Sequence, residues 1–333
     1  MRKALVTGGC GFIGSNLAKE LVRLGWQVDI VDNMSSGHIK LVADLKCRFL
    51  PGAGFIRAYN LQDLSTNRKQ DEVIVIQDDF DSSFILEYIS DKHYDVVFHQ
   101  AAVPRVSYSV EHPEHTTDTN ILKTVKLFKA CAGNVDRVVF ASSSSVYGGA
   151  ENLPTKESTE KQPKSPYAWQ KSAIEDFAKM CWDLYKLDVV CLRYFNVFGP
   201  GQYGDSPYST AVSAWCHAIK NDLELRSDGD GSQSRDMCYV DNAVSANILA
   251  ANNEATFMGR CYNISCGDRT SNKDILEFLS KNKNLKINHA PWRQGDVMHT
   301  QADITRAQIE LRYEPCVRFW EGLERTLEWW DIK

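Results

Sequence analysis

The chain has no CxxC pair and no Cys/His cluster at zinc-ligand spacing, although it carries ten cysteines; the closest two are Cys261 and Cys266. The usual zinc patterns are thereby excluded, and no metal is expected. Several cysteines lie in apolar runs such as VVCLRYF, as small buried hydrophobes of a reducing compartment do. Surplus positive charge is also missing. Lys and Arg total 38 against 43 Asp and Glu, a net charge of −5. Non-specific nucleic-acid binding needs a clustered basic surface, so no nucleic-acid partner is expected. A small anion held by a few placed arginines stays compatible with that balance. No run approaches the ~20 apolar residues that span a bilayer. The opening MRKALVTGG reaches a glycine turn after a short apolar run, without the long apolar region of a signal peptide. A cytoplasmic protein without a membrane partner is the expectation. Internal repeats and low-complexity tracts are absent too.

What the sequence does contain is an alternation. Short β-like runs stand at 3–7 (KALVT), 27–31 (QVDIV), 73–77 (VIVIQ), 95–99 (DVVFH), 137–141 (RVVFA) and 188–195 (DVVCLRYF). Helix-period segments lie between them near 12–24, 82–91, 114–132 and 166–185. Continuous Val/Ile runs suit strands covered on both faces. Strands alternating with helices imply right-handed βαβ units, hence an α/β fold with a doubly wound parallel sheet. Residues 34–72 read as a long polar connection with few signals. After about 196 the pattern turns irregular, which reads as a smaller second lobe. The expected division is a Rossmann domain over 1–195, with part of 236–260 returning to it, and a mainly substrate-binding lobe over 196–333.

The first run leads into Thr7-Gly8-Gly9-Cys10-Gly11-Phe12-Ile13-Gly14. Glycines permit the tight turn and let backbone approach a pyrophosphate, and the next helix offers free N–H groups to it. A lone glycine turn is weak evidence; here a strand precedes it and a helix and second strand follow. Asp32 ends that second strand, 18 residues past Gly14. A carboxylate there suits ribose hydroxyls and repels a 2′-phosphate, favouring NAD over NADP.

Tyr167 and Lys171 form a YxxxK pair in Ser165-Pro166-Tyr167-Ala168-Trp169-Gln170-Lys171. Pro166 suits a helix start, and i, i+4 spacing puts both side chains on one face. The ammonium is expected to lower the phenol's pKa and help Tyr167 act as a base. The run RVVFA ends in Ser142-Ser143-Ser144-Ser145-Val146-Tyr147-Gly148, hydroxyls at the strand end where ligands sit in such sheets.

With these motifs in order, the sequence resembles the extended short-chain dehydrogenase/reductase family, in particular its nucleotide-sugar 4-epimerases. DNMSSGH, HQAA, LRYFNVFGP, SRDMCYVDN, YNISCG and RQGDVMHTQAD extend the resemblance along nearly the whole chain. It implies NAD as cofactor, with Gly8, Gly11, Phe12, Ile13 and Gly14 at the pyrophosphate. It places Asp32, Asn33, Ser36, Gly37, Asp79 and Phe80 at the adenosine half. Gln100, Ala101 and Ala102 would line the cofactor wall, with Asn120, Ser142 and Tyr194 beside it. Ser143, Tyr167 and Lys171 would be catalytic, Tyr167 as base and Lys171 on the nicotinamide ribose. Ser144, Ser145, Asn196, Arg235, Arg293, Asp296 and Thr300 would join Ser143 and Tyr167 around the sugar nucleotide. The resemblance also implies a homodimer.

Departures narrow the choice. Dehydratases and decarboxylases of the superfamily carry acidic residues where this chain has Ser144 and Ser145. Uronate 4-epimerases usually show threonine at Asn196 and an arginine near Tyr203. Thr300 falls where glucose-restricted epimerases place a tyrosine, leaving room for an N-acetyl group. UDP-GlcNAc/UDP-GalNAc interconversion is therefore expected, with UDP-Glc/UDP-Gal as a further pair. UDP-glucuronate epimerisation, 4,6-dehydration, 4-reduction and a non-catalytic NAD-binding sensor are the alternatives. Lys123 stands where many relatives have glycine, and Val103–Val110 differs from the better-known epimerases.

Overall fold

The computed structural model describes residues 1–52, 68–69, 71–204, 210–281, 285–291 and 297–332. Eight parallel strands form one sheet. In chain order they are β1 (Lys3–Thr7), β2 (Gln27–Val31), β3 (Lys46–Pro51), β4 (Glu72–Gln77), β5 (Val96–His99), β6 (Arg137–Ser143), β7 (Val189–Tyr194) and β12 (Cys261–Ile264). Across the sheet the order is β12-β7-β6-β5-β1-β2-β4-β3. The chain winds outward from β1 through β2 and β4, then restarts with β5 on the other side of β1. A crevice opens at such a reversal, outside the carboxyl ends of the strands, and ligands bind there.

Alternate residues of each central strand feed two cores. Ala4, Val6, Val28, Ile30, Val73 and Val75 join one, which also holds Leu17 and Leu21 of the helix Phe12–Arg23. Ala243, Ala246 and Ala250 of the helix Val240–Asn252 close that same core. Leu5, Val31, Ile74 and Ile76 join the other, under the helices Ser83–Ser90, Thr124–Cys131 and Pro166–Tyr185. Burial on both faces is why these strands read as unbroken Val/Ile runs. The helix Pro166–Tyr185 starts where expected: Ser165 Oγ accepts from the Ala168 N–H at 3.2 Å, with Pro166 in the first turn.

Beyond β7 the chain makes short pairings. β8 (Val197–Phe198) runs parallel to β11 (Cys238–Tyr239). β9 (Leu225–Asp228) runs parallel to β14 (Ile287–Ala290), and β10 (Ser234–Arg235) antiparallel to β13 (Thr270–Ser271).

Two sequence expectations need correction. The 34–72 connection is not featureless: it holds a 3₁₀ turn at Ile39–Val42 and the edge strand β3. One face of β3 is open to solvent, so its sequence, KCRFLP, lacks a continuous apolar run. The segment near 114–132 is not a uniform α-helix either. It divides into Pro113–Thr117, a π-helical turn Asp118–Lys123, and Thr124–Cys131. Among the described residues, no helix is long and apolar enough to cross a membrane.

Candidate functional site

A cleft of about 550 Å³ lies at the reversal point of the sheet. Its floor is the glycine turn. Gly8 has φ +68°, and a Cβ there would sit 2.8 Å from the Ala101 backbone. At Gly14 a Cβ would come within 2.2 Å of the Gly8 carbonyl oxygen. The helix can therefore approach the β1–β5 edge only with glycine at these positions. Gly11 precedes the helix with no side-chain cap, so the first-turn N–H groups face the cleft lined by Gly11, Phe12, Ile13 and Gly14. A tight glycine turn with free N–H groups at a helix start suits a dinucleotide pyrophosphate.

Asp32 lines the cleft at the end of β2. Its carboxylate accepts from the Cys10 and Met34 N–H groups, both at 2.9 Å. Burial pushes its pKa up, and those backbone donors oppose the shift. Gly37 packs directly against the carboxylate; a Cβ there would lie 2.6 Å from Oδ1. Asn33 Nδ2 donates to Asp79 at 2.8 Å, and both line the cleft beside Ser36 and Phe80. Phe80 is buried edge-on against His99, with ring centroids 4.8 Å apart.

The opposite wall is Gln100, Ala101 and Ala102. Three buried or half-buried side chains fix it from behind. Asn247 donates to the Tyr194 hydroxyl at 2.7 Å, Tyr194 donates to Gln100 Oε1 at 3.3 Å, and Gln100 Nε2 returns to Asn247 at 3.0 Å. Tyr194 thus reaches the cofactor wall through Gln100. Asn120 also acts indirectly. Its amide clamps the Val103 backbone in both directions and donates to Gln170 at 2.8 Å, so its hydrogen-bonding groups face the loop and not the cleft.

Ser143, Tyr167 and Lys171 stand at the same carboxyl edge of the sheet. Ser143 ends β6, and Tyr167 and Lys171 lie on the first two turns of the helix Pro166–Tyr185. The expectation that Lys171 lowers the Tyr167 pKa is not met. Lys171 Nζ donates to the Ala141 carbonyl at 2.6 Å and lies 5.8 Å from the Tyr167 ring centre. Burial pushes the phenol up to about 12, opposed by its hydrogen bond with Ser143. Burial also pulls the ammonium down to about 7, opposed by Cys191 and Glu175. The charged form of either group is thus the form that this apolar setting disfavours.

The Ser142 hydroxyl donates to Glu175 at 2.6 Å, inside a buried network. Glu175 in turn takes two hydrogen bonds from Arg193, at 2.8 and 2.7 Å. Strand alternation explains this: if Ser143 faces the site, Ser142 must face the opposite side. Ser144 and Ser145 begin a 3₁₀ turn, and the Ser145 N–H donates to Ser143 Oγ at 3.2 Å. The Ser145 hydroxyl is buried without a partner among the described residues.

In the irregular half, Asn196 Nδ2 donates to the Asp236 carbonyl at 2.8 Å and to Thr300 Oγ1 at 3.2 Å. Arg235 donates to the Ser234 and Met298 carbonyls. Asp236, fully buried, binds this region together. It accepts from Ser265 Oγ and from the Cys266, Gly267 and Ala302 N–H groups. Burial pushes its pKa up to about 6. Arg293 and Asp296 lie outside the described residues. The cleft also takes in His38, Leu41, Asp78 and Tyr203, which sequence reasoning did not place at the cofactor. No local pattern marks them; the long 34–45 excursion brings His38 edge-on against Tyr203, with centroids 4.9 Å apart.

A doubly wound parallel sheet, a glycine cradle at its reversal and a Ser–Tyr–Lys trio at its carboxyl edge define a dinucleotide-dependent enzyme of the Rossmann class. The chain belongs to the NAD dependent epimerase/dehydratase family, whose model matches residues 4–265. It is 31% identical over 332 residues to a putative UDP-glucose 4-epimerase of Methanocaldococcus jannaschii, covering 98% of this chain and 97% of that one. Among solved structures it is similar to the UDP-N-acetylglucosamine 4-epimerase from Methanobrevibacter ruminantium M1 in complex with UDP-N-acetylmuramic acid. The TM-score is 0.86 and identity 33%, over 99% of this chain and 98% of that one. The UDP-glucuronic acid 4-epimerase from Bacillus cereus, in complex with UDP-glucuronic acid and NAD, is also similar. There the TM-score is 0.81 and identity 29%, over 99% of both chains.

Proposed function

We propose that the chain is a UDP-sugar 4-epimerase that interconverts UDP-GlcNAc and UDP-GalNAc, and UDP-Glc and UDP-Gal in the same pocket. The observation that carries the reading is the pairing of Thr300 with Asn196. Thr300 is a short side chain whose hydroxyl accepts from Asn196 at 3.2 Å, and in this reading its small size leaves the sugar's C2 side open. The 33% identity to a UDP-N-acetylglucosamine 4-epimerase supports the same choice. A uronate would bury a carboxylate, which is costly without a cationic partner. Tyr203 offers none, and its ring packs between His38 and Trp329. Ser144 and Ser145 lack the acid–base chemistry that elimination of water would need.

In this reading the glycine cradle, Asp32 and Asp79 hold NAD, which supplies reversible hydride acceptance at the sugar C4. Tyr167 exchanges a proton with the C4 hydroxyl, with Ser143 as its hydrogen-bond partner. In this reading Lys171 holds the ribose side of the cofactor. Arg235 and Arg293 grip the diphosphate, so the 4-keto sugar can turn about that linkage and present its other face. Residues 196–333 would supply most sugar contacts and 1–195 the cofactor contacts. The exposed Trp169, Met180 and Leu184, on one face of the helix Pro166–Tyr185, would pair two copies of the chain.

The test is proton NMR of the purified protein with UDP-GlcNAc, UDP-Glc or UDP-GlcA and no added cofactor. Appearance of the C4 epimer of UDP-GlcNAc is the expected result. Turnover of UDP-Glc alone would overturn the Thr300 argument, and turnover of UDP-GlcA alone the Tyr203 argument. A new C6 methyl signal would mean dehydration.

A further inference from the structure

Lys123 is a residue for which the family resemblance supplies no role. It closes the π-helical turn Asp118–Lys123. A π-turn carries one residue more than an α-turn, and such turns recur at functional sites. This one lines the cleft with Asp118, Thr119 and Lys123. Lys123 Nζ donates to Asp79 Oδ2 at 3.0 Å and lies 3.7 Å from Asp81 and 4.0 Å from Asp118. The other oxygen of Asp79 accepts from Asn33 at 2.8 Å. A chain of polar contacts therefore runs from the end of β2, through the end of β4, to the π-turn.

We propose that Lys123 is a cofactor-retention residue, bridging the adenosine end of the cleft through Asp79 so that an adenine dinucleotide leaves only when the bridge opens. This rests on the reading of the cleft as an NAD site. Two physical effects support it. The cleft at this end carries Asp32, Asp78, Asp79 and Asp118, and the dinucleotide brings two further negative charges on its diphosphate. A cation among them offsets that repulsion. Lys123 also fixes Asp79 in one orientation, so less side-chain freedom is lost when the carboxylate meets a ligand. The ammonium side chain is 18% exposed, so its pairing is only partly screened by salt.

The experiment measures release of NADH from the full-length protein by stopped-flow fluorescence, without any sugar nucleotide, at low and high salt. Lys123→Met should release NADH about fivefold faster, the factor that corresponds to ~1 kcal/mol for a partly exposed ion pair. Its release rate should also lose most of its salt dependence. Lys123→Arg should stay near the parent, and Lys123→Met should add little in an Asp79→Asn background. Thermal melts establish that each variant is folded. Unchanged or slower release by Lys123→Met, with salt dependence intact, overturns the proposal while leaving the NAD site standing. Failure of the parent protein to bind NADH overturns both.

Discussion

The Asn196 side chain donates to the Thr300 hydroxyl at 3.2 Å, tying the segment after β7 to a residue 104 positions later. Asn196 holds φ +37°, a left-handed conformation that asparagine tolerates better than most residues. The pair holds the Thr300 hydroxyl beside Asn196.

Replacing Thr300 with tyrosine should therefore change sugar choice. Thr300→Tyr should lower kcat/KM for UDP-GlcNAc by roughly 100-fold, while UDP-Glc turnover stays within a few-fold. Thr300→Val separates size from hydrogen bonding. It should cost about 1 kcal/mol of stability and leave the preference intact. Steady-state kinetics on both sugars decide; a parallel loss on both would show that position 300 does not set the C2 side.

Tyr167→Phe removes the hydroxyl proposed to exchange the C4 proton, and little volume. The expected loss in kcat is ~10²–10⁴-fold, with NAD content per chain unchanged. Retained turnover would assign proton transfer to another group.

Glu175 is fully buried and engages Arg193 twice, with Ser142 donating as well. Glu175→Ala leaves the guanidinium buried and unpaired. Urea unfolding should show a loss of about 3–5 kcal/mol. A loss below ~1 kcal/mol would mean that solvent reaches Arg193 and replaces its partner.

His99 is buried between Thr7 and Thr124, whose hydroxyls lie 2.7 and 3.0 Å from its two ring nitrogens. Burial pulls its pKa from 6.5 down to about 3. Between those values the unfolded chain binds the proton and the folded one does not, so stability falls as pH drops from 6.5 towards 3. By pH 4.5 the contribution amounts to roughly 2–3 kcal/mol. His99→Gln should flatten that part of the curve, measured as urea midpoints at pH 7.5 and 4.5. An identical slope in both proteins would place a proton on the buried ring.

Local sequence was enough for the architecture. Valine and isoleucine in unbroken runs require strands covered on both faces, and the glycine turn between a strand and a helix requires a close backbone approach. Ser165-Pro166 marks a helix start by capping chemistry alone. These are properties of neighbouring residues, so all six expected strands and the helix carrying Tyr167 and Lys171 stand within a residue or two of their predicted bounds. β3 escaped because an exposed edge strand needs no apolar run.

What only the tertiary structure decided depends on groups far apart in sequence. Ser142 and Ser143 are adjacent and chemically alike, yet the strand's alternation sends one to Glu175 and leaves the other for Tyr167. The ionisation of Tyr167 and Lys171 follows burial, which the i, i+4 spacing does not report. His38, Tyr203 and Lys123 reach the cleft because a loop, a lobe and a π-turn converge there, and no short-range pattern encodes that meeting. A sequence specifies its periodicities directly; desolvation and long-range charge pairing arise only when the folded chain excludes water and brings distant residues together.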